Sequence, residues 1–180
     1  MTYRVMMVCT GNICRSVMAQ IVLNEHLQKA GLEVEVVSSG ISAEEQGNPI
    51  DYRAQRTLKN AGYVLPEHSA KQLSGEDLLS CDLILAMTYR HFQAVEGLAN
   101  RFRVPLVDEG GFSRLVMFRA FDPQGGLGAP SGNEVVVSER VLDVPDPWYG
   151  DQADFEETLA TIERSVPALL AEIKVRLEQQ

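Results

Sequence analysis

The sequence predicts an α/β fold in which a central four-stranded parallel sheet lies between two layers of helices, doubly wound. Two patterns and one size argument point there. Short apolar, partly β-branched runs alternate with segments of helical periodicity. The first such run hands over to a helix through a polar, glycine-containing turn. The 180 residues, 45% of them hydrophobic, suffice for one core without disulfide or metal staples.

The first strand is expected over residues 5–8, and apolar positions at Val17, Ile21, Val22 and Leu27 predict a helix from Ser16. Gly31 suits the C-cap of that helix, and a second strand follows at 34–37. The polar stretch 42–51 is a loop, and 52–61 reads as a helix. Asp82-Leu83-Ile84-Leu85-Ala86-Met87 reads as a strand buried on both faces, and Leu115-Val116-Met117-Phe118 as the fourth. Turn formers dominate between Phe121 and Val141, which predicts a long surface loop at about 122–140. From Asp154 the spacing of Phe155, Leu159, Ile162, Val166, Leu169, Ile173 and Leu177 predicts a closing helix. Asp154 and Glu157 resemble its capping box, and a kink or interruption is expected near Pro167. The whole of 1–180 is read as one domain.

Charge narrows the functional classes. With 25 acidic and 16 basic residues the formal net charge is −9, which opposes grip on nucleic acid or an anionic bilayer. A bound anion therefore needs a local device. Cys9, Cys14 and Cys81 are too few and too scattered for a disulfide framework or a zinc site, and reduced thiols suit the cytoplasm. The N-terminal apolar run is broken by Cys9-Thr10-Gly11-Asn12 well before the length of a signal segment or a membrane span.

Cys9-Thr10-Gly11-Asn12-Ile13-Cys14-Arg15-Ser16 falls where a strand passes to a helix, the place where open α/β sheets bind ligands. Gly11 allows unusual torsions, so successive N–H groups can turn inward as a nest, and the start of the next helix adds positive potential. Arg15 can clamp two phosphate oxygens in a planar fork. The same field favours a thiolate at Cys9, and the hydroxyl of Ser16 can donate to that sulfur and help it depart. The plain alternative is a small buried cysteine, a surface arginine and an ordinary N-cap serine.

These eight residues resemble the signature loop of the low molecular weight protein tyrosine phosphatases of the bacterial type. Gly47-Asn48-Pro49-Ile50-Asp51-Tyr52-Arg53, His68-Ser69-Ala70-Lys71-Gln72, the strand 82–87 and Asp146-Pro147-Trp148-Tyr149-Gly150 follow in the family's order. The likeness covers about 3–177, with two stretches longer than usual near 101–113 and 125–140. It implies the phosphatase I-like form of the fold and hydrolysis of phosphotyrosine in proteins through a cysteinyl-phosphate. It further implies a monomer that uses no metal and no cofactor, with inorganic phosphate and vanadate as competing anions.

By that resemblance Asp146 protonates the leaving phenol and then activates water, on a loop stiffened by Pro147. Asp122-Pro123 is a decoy without the following aromatic pair. Trp148, Tyr149 and Ile13 wall the crevice for a flat phenol ring. Relatives that dephosphorylate arginine carry threonine at the position of Ile13, so phosphotyrosine is expected. Asn12, Ser38 and His68 match positions that tie the phosphate loop into shape, and His26 and His91 are assigned to the surface or to helix faces. Cys14 is either a buried small side chain or a reversible disulfide partner of Cys9, whereas Cys81 reads as core.

Glu44 stands where relatives usually place a rim aromatic, and Thr88 replaces a usual aspartate. The acidic rim should disfavour acidic flanks and favour basic ones. Two other readings remain: a phosphate-loop docking module without turnover, and a thioredoxin-coupled arsenate reductase. The latter needs a further cysteine pair that Cys81 alone does not supply.

Overall fold

The computed structural model describes residues 2–125 and 142–179. The expected loop at 122–140 therefore lies largely outside the described residues. Strands β1 (Tyr3–Cys9), β2 (Val34–Gly40), β3 (Leu83–Ala86) and β4 (Leu115–Met117) pair in the order β2-β1-β3-β4, all parallel. The helices are α1 (Arg15–Ala30), α2 (Tyr52–Asn60), α3 (Gly75–Ser80), α4 (Tyr89–Phe102) and α5 (Gln152–Leu177), with a 3-10 turn at Phe118–Phe121. Phe118 thus leaves the fourth strand that the sequence suggested.

Period-two alternation along β1 builds both halves of the core. Tyr3, Val5, Met7 and Cys9 face a cluster with Val17, Leu23, Leu58, Phe155, Ile162 and Leu169, contributed by α1, α2 and α5. Met6 and Val8 face the opposite cluster, where Leu78, Phe92, Val95 and Ala99 come from α3 and α4. The sheet is sandwiched between helical layers, as a parallel sheet buried on both faces requires.

Helix α1 ends as expected, with Gly31 left-handed at φ 66° and its N–H bonded to the carbonyls of Gln28 and Leu27. For the closing helix the expected capping box and the expected interruption at Pro167 need correction. Its capping box lies one turn earlier: Asp151 accepts from the N–H of Ala153 at 2.8 Å, and Asp154 accepts from the N–H of Asp151 at 2.7 Å. A Cβ on Gly150 would stand 2.1 Å from Asp154 Oδ2, so glycine there lets the box close. Pro167 sits inside one continuous helix. Its lost bond and ring clash cost about 3 kcal/mol. Burying Ile162, Val166, Leu169 and Ile173 around it contributes roughly 1.5–3 kcal/mol each, which wins even as an upper bound.

Asp122 is a structural residue. Its carboxylate is fully shielded and receives Arg119 Nε at 3.2 Å and Arg164 Nη2 at 3.0 Å. Burial opposes its ionisation, but hydrogen bonds from Arg164, the Gln124 amide and Arg119 outweigh that and hold the carboxyl below its ordinary range. Asp122→Ala should therefore cost about 1–3 kcal/mol in urea denaturation at neutral pH. A depressed native pKa stabilises above the unfolded value of about 3.9 and stops doing so as pH falls through the native value, so the deficit should shrink in acid.

Candidate active site

Sheet order explains where ligand chemistry can sit. β2 and β3 flank β1 on opposite sides, so the chains leaving them part around the carboxyl end of β1 and open a crevice above Cys9. Backbone bonds fasten the loop that fills it: Ile41 N–H donates to the Cys9 carbonyl at 2.9 Å and Ser42 N–H to the Thr10 carbonyl at 3.0 Å. Gly40 makes this approach possible, since a Cβ there would stand 2.5 Å from the Thr10 carbonyl oxygen.

Within the loop the Asn12 N–H donates to Cys9 Sγ at 3.3 Å, and Ser16 Oγ lies 3.0 Å from the same sulfur. The torsion that permits this belongs to Asn12, at φ 61°, and not to Gly11 as the sequence suggested. Gly11 instead supplies room, because a Cβ there would come within 2.9 Å of Glu45 Cγ. Asn12 is almost wholly buried, and every polar group of its side chain is used. Its Nδ2 donates to Ser16 Oγ at 3.0 Å and to Ser38 Oγ at 2.8 Å, and its Oδ1 accepts from Lys71 N–H at 3.1 Å. Its carbonyl accepts from His68 Nε2 at 2.6 Å. Burial lowers the His68 pKa, so a neutral ring with its proton on Nε2 makes that bond.

Arg15 opens α1 with its side chain buried. It donates to the Val144 carbonyl at 3.3 Å and forms an ion pair with Asp146 Oδ2 at 3.1 Å. Cys14, the N-cap residue, forms no side-chain cap, so the first-turn amides of α1 stay available to an anion. Asp146 is half-exposed, and its Oδ1 accepts from Trp148 N–H at 3.1 Å. The resulting cleft of about 270 Å³ is lined by Cys9, Thr10, Ile13, Arg15, Asp146 and Trp148, with Gly11, Cys14 and Tyr149. Glu44, Glu45 and Arg90 complete its walls. A larger, shallower groove of about 560 Å³ beside Pro49, Leu65 and His68 holds neither a thiol nor a guanidinium. Among the described residues no cluster of His, Cys, Asp and Glu could hold a metal ion, and no helix is long and apolar enough to cross a membrane.

Two groups of residues escaped the sequence reading. Asp51 and Arg53, seen there only within a resembling string, join the phosphate loop to the segment bearing Asp146. Asp51 N–H donates to the Ile13 carbonyl at 2.9 Å, and its carboxylate binds Arg53 at 3.1 Å. Burial works against the charge on Asp51, yet Arg53 holds its carboxyl below the usual range. Arg53 also donates to the carbonyls of Trp148 at 3.0 Å and Gly150 at 3.3 Å, and lies over the Trp148 and Phe155 rings.

His91 is the second, and its assignment to a helix face is corrected. It is buried, with Nε2 2.8 Å from Thr10 Oγ1 and Nδ1 3.0 Å from Thr88 Oγ1. Thr88 already accepts the His91 N–H as the N-cap of α4. Its hydroxyl proton is therefore free for Nδ1, and His91 Nε2–H donates to Thr10. Burial, then the charges of Arg15 and Arg90, push the His91 pKa down to about 3. Cys14 is buried as well; burial first, then Asp51 and Cys9, pushes its thiol far up, so it stays protonated at neutral pH.

A model of the low molecular weight phosphotyrosine protein phosphatase family matches residues 4–109 and 135–179. A low molecular weight protein-tyrosine-phosphatase of Streptomyces coelicolor is 36% identical over 180 residues, covering 99% of this chain and 98% of its own. The low molecular weight protein-tyrosine phosphatase A of Mycobacterium tuberculosis is 37% identical, with 90% and 86% covered. Among solved structures, YfkJ from Bacillus subtilis superposes with a TM-score of 0.77 at 28% identity, covering 98% of this chain and 97% of that one. The YwlE arginine phosphatase, as a mutant with a phosphorylated active-site serine, gives 0.73 at 25% identity, with 95% of each chain covered.

Truncating His91 should be felt twice. His91→Ala leaves the buried hydroxyl of Thr88 and the half-buried one of Thr10 short of a partner and should cost roughly 1–3 kcal/mol at pH 7. In the wild type the unfolded chain takes up the His91 proton near pH 6.5 and the native state only near 3, so stability falls as pH drops between those values. Denaturation midpoints measured from pH 8 to 4 should show that decline in the wild type and a flatter one in the variant.

Proposed function

Because this chain belongs to the low molecular weight phosphotyrosine protein phosphatase family, we propose that it hydrolyses phosphotyrosine in proteins in two steps through a cysteinyl-phosphate. The observation that carries the proposal is the meeting, in one cleft, of the Cys9 sulfur, its Asn12 and Ser16 donors, Arg15 and Asp146. Each has a distinct task. The sulfur of Cys9, faced by the amide of Asn12 and the hydroxyl of Ser16, attacks phosphorus. Arg15 and the first-turn amides of α1 neutralise the equatorial oxygens as charge builds on them.

The leaving phenolate, with a conjugate acid of pKa about 10, departs poorly unless a proton reaches it. Asp146 supplies that proton. In the free protein its carboxylate is paired with Arg15. An entering phosphate dianion takes that guanidinium, which frees the Asp146 carboxyl to face the leaving oxygen. After the phenol leaves, Asp146 accepts a proton from water, which attacks phosphorus, and Ser16 stabilises the departing sulfur. The phosphoserine in the YwlE mutant supports a covalent phospho-enzyme, by analogy.

Ile13, Trp148 and Tyr149 form apolar walls that suit a phenol ring, and Ile13 stands in place of the threonine that resemblance assigns to arginine phosphatases. The proposed setting is the cytoplasm, where free Cys9, Cys14 and Cys81 stay reduced. Cys81 lies in the core on the opposite sheet face from Cys9, which weighs against a disulfide relay of the arsenate-reductase kind. Turnover itself separates an enzyme from a docking module.

Hydrolysis of p-nitrophenyl phosphate should resist EDTA and be inhibited by vanadate. Cys9→Ser should abolish turnover while inorganic phosphate still binds. Asp146→Asn should slow phenyl phosphate by about 10²–10⁴-fold and p-nitrophenyl phosphate far less; equal losses on both would remove Asp146 from the acid role. Cys14 is the proposed redox partner. Peroxide converts the Cys9 thiolate to a sulfenic acid, releasing hydroxide, and the Cys14 thiol condenses with it to a disulfide, releasing water. Activity lost to peroxide should return with dithiothreitol in the wild type and not in Cys14→Ser.

A further inference from the structure

The mouth of the cleft carries three charges that no step of the reaction uses. Glu44 and Glu45 lie on the loop that leaves β2, and Arg90 lies on the first turn of α4, which leaves β3. Because β2 and β3 flank β1 on opposite sides, the segment that bears the two carboxylates and the one that bears the guanidinium leave the sheet on opposite sides of the Cys9 loop. Two strand spacings, about 10 Å, separate the ends of β2 and β3.

Among the described residues none of the three has an ion-pair partner. Glu45 accepts only from the neutral amide of Asn48, at 2.6 Å, which leaves its charge uncancelled. Arg90 is exposed at the second residue of α4, where the helix dipole disfavours a cation. It is an uncompensated positive charge on a chain of net charge −9. The anchoring of His91 to Thr10 fixes that first turn against the phosphate loop, and with it the base of Arg90.

We propose that the mouth reads the order of charges along the phosphotyrosine peptide, an acidic residue on one flank meeting Arg90 and a basic residue on the other meeting Glu44 and Glu45. This rests on the phosphatase reading and deepens it: the substrate class is a phosphotyrosine segment of mixed charge. It also revises the sequence-based expectation that basic flanks alone are favoured. An extended peptide advances about 3.3 Å per residue, so about 10 Å spans roughly three residues. Segments whose bases stand that far apart suit charges close to the phosphotyrosine, so the two positions on each side of it are the ones to vary.

The test uses four synthetic phosphotyrosine peptides that are neutral except at the two positions on each side: acidic then basic, basic then acidic, all basic and all acidic. The kcat/KM of each is divided by the same variant's value for p-nitrophenyl phosphate, so changes in basal turnover cancel. One of the two mixed peptides should exceed both uniform ones, by about threefold for each matched charge, the scale of an exposed ion pair. The gain should appear in KM, since flank contacts are shared by ground and transition states, and should fade as salt rises. Arg90→Glu should shift the preference to the all-basic peptide, and Arg90→Lys should keep the wild-type order. An all-basic peptide preferred by the wild type, equal rates for all four, or an order unchanged in Arg90→Glu would overturn the proposal alone. Failure of the wild type to hydrolyse p-nitrophenyl phosphate would overturn the phosphatase reading beneath it.

Discussion

The sulfur at the end of β1 can receive a backbone N–H three residues later only if the chain turns back sharply, and Asn12 makes that turn in the left-handed region. Such a backbone costs about 1–2 kcal/mol for a residue with a Cβ. Asn12 offsets this with two donors to Ser16 and Ser38, an acceptor for Lys71 N–H and a carbonyl bound to His68, each worth about 0.5–1.5 kcal/mol. The loop is therefore shaped before any anion arrives, which is the condition under which fixed dipoles are most effective. Ser38 on β2, His68 and the Lys71 backbone matter because they hold one strained residue in place.

Legibility followed the range of the interaction. β1 and β3 were evident because a buried parallel strand is apolar on both faces, and Cys9 and Arg15 because their chemistry is local to eight residues. Contacts between distant parts of the chain were legible only where the family resemblance carried them, as for Ser38, His68 and Asp146. Nothing local marks His91, whose partner Thr10 lies 81 residues away, or Arg53, whose carbonyl partner at Trp148 lies 95 away. Gly40 looks like an ordinary strand end until the loop is seen pressed against it. Asp151, Asp154 and Glu157 share one three-residue spacing, so the pattern alone does not separate two capping boxes, and the first forms beside a glycine that leaves room for the Asp154 carboxylate. Pro167 does not interrupt α5, because the core buried along that helix outweighs the loss of helix propensity.

The two segments that carry the proposed catalytic residues differ in how they are held. The phosphate loop continues β1 and leads directly into α1, so the main core cluster supports it from both ends. The segment with Asp146 is anchored by buried Val144, whose N–H donates to the Met87 carbonyl, and by Arg15, but it ends in exposed Tyr149, where a polar clasp from Arg53 holds the carbonyls of Trp148 and Gly150. Asp51 grips the carbonyl of Ile13 and the guanidinium of Arg53 together, so displacement of one segment is transmitted to the other. A rigid cradle facing a less deeply anchored acid is a workable division of labour where one part must stay shaped and the other must admit a ligand.

The contact between Arg15 and Asp146 has one more consequence, for the end of the catalytic cycle. A guanidinium so deeply shielded would hold orthophosphate tightly if nothing else competed for it. The nearby carboxylate is such a rival, tethered at high effective concentration and ready to reclaim its partner whenever the spent anion loosens. On the proposed mechanism the protein thus carries its own eluent, which limits product inhibition at the expense of some affinity for the incoming phosphoester.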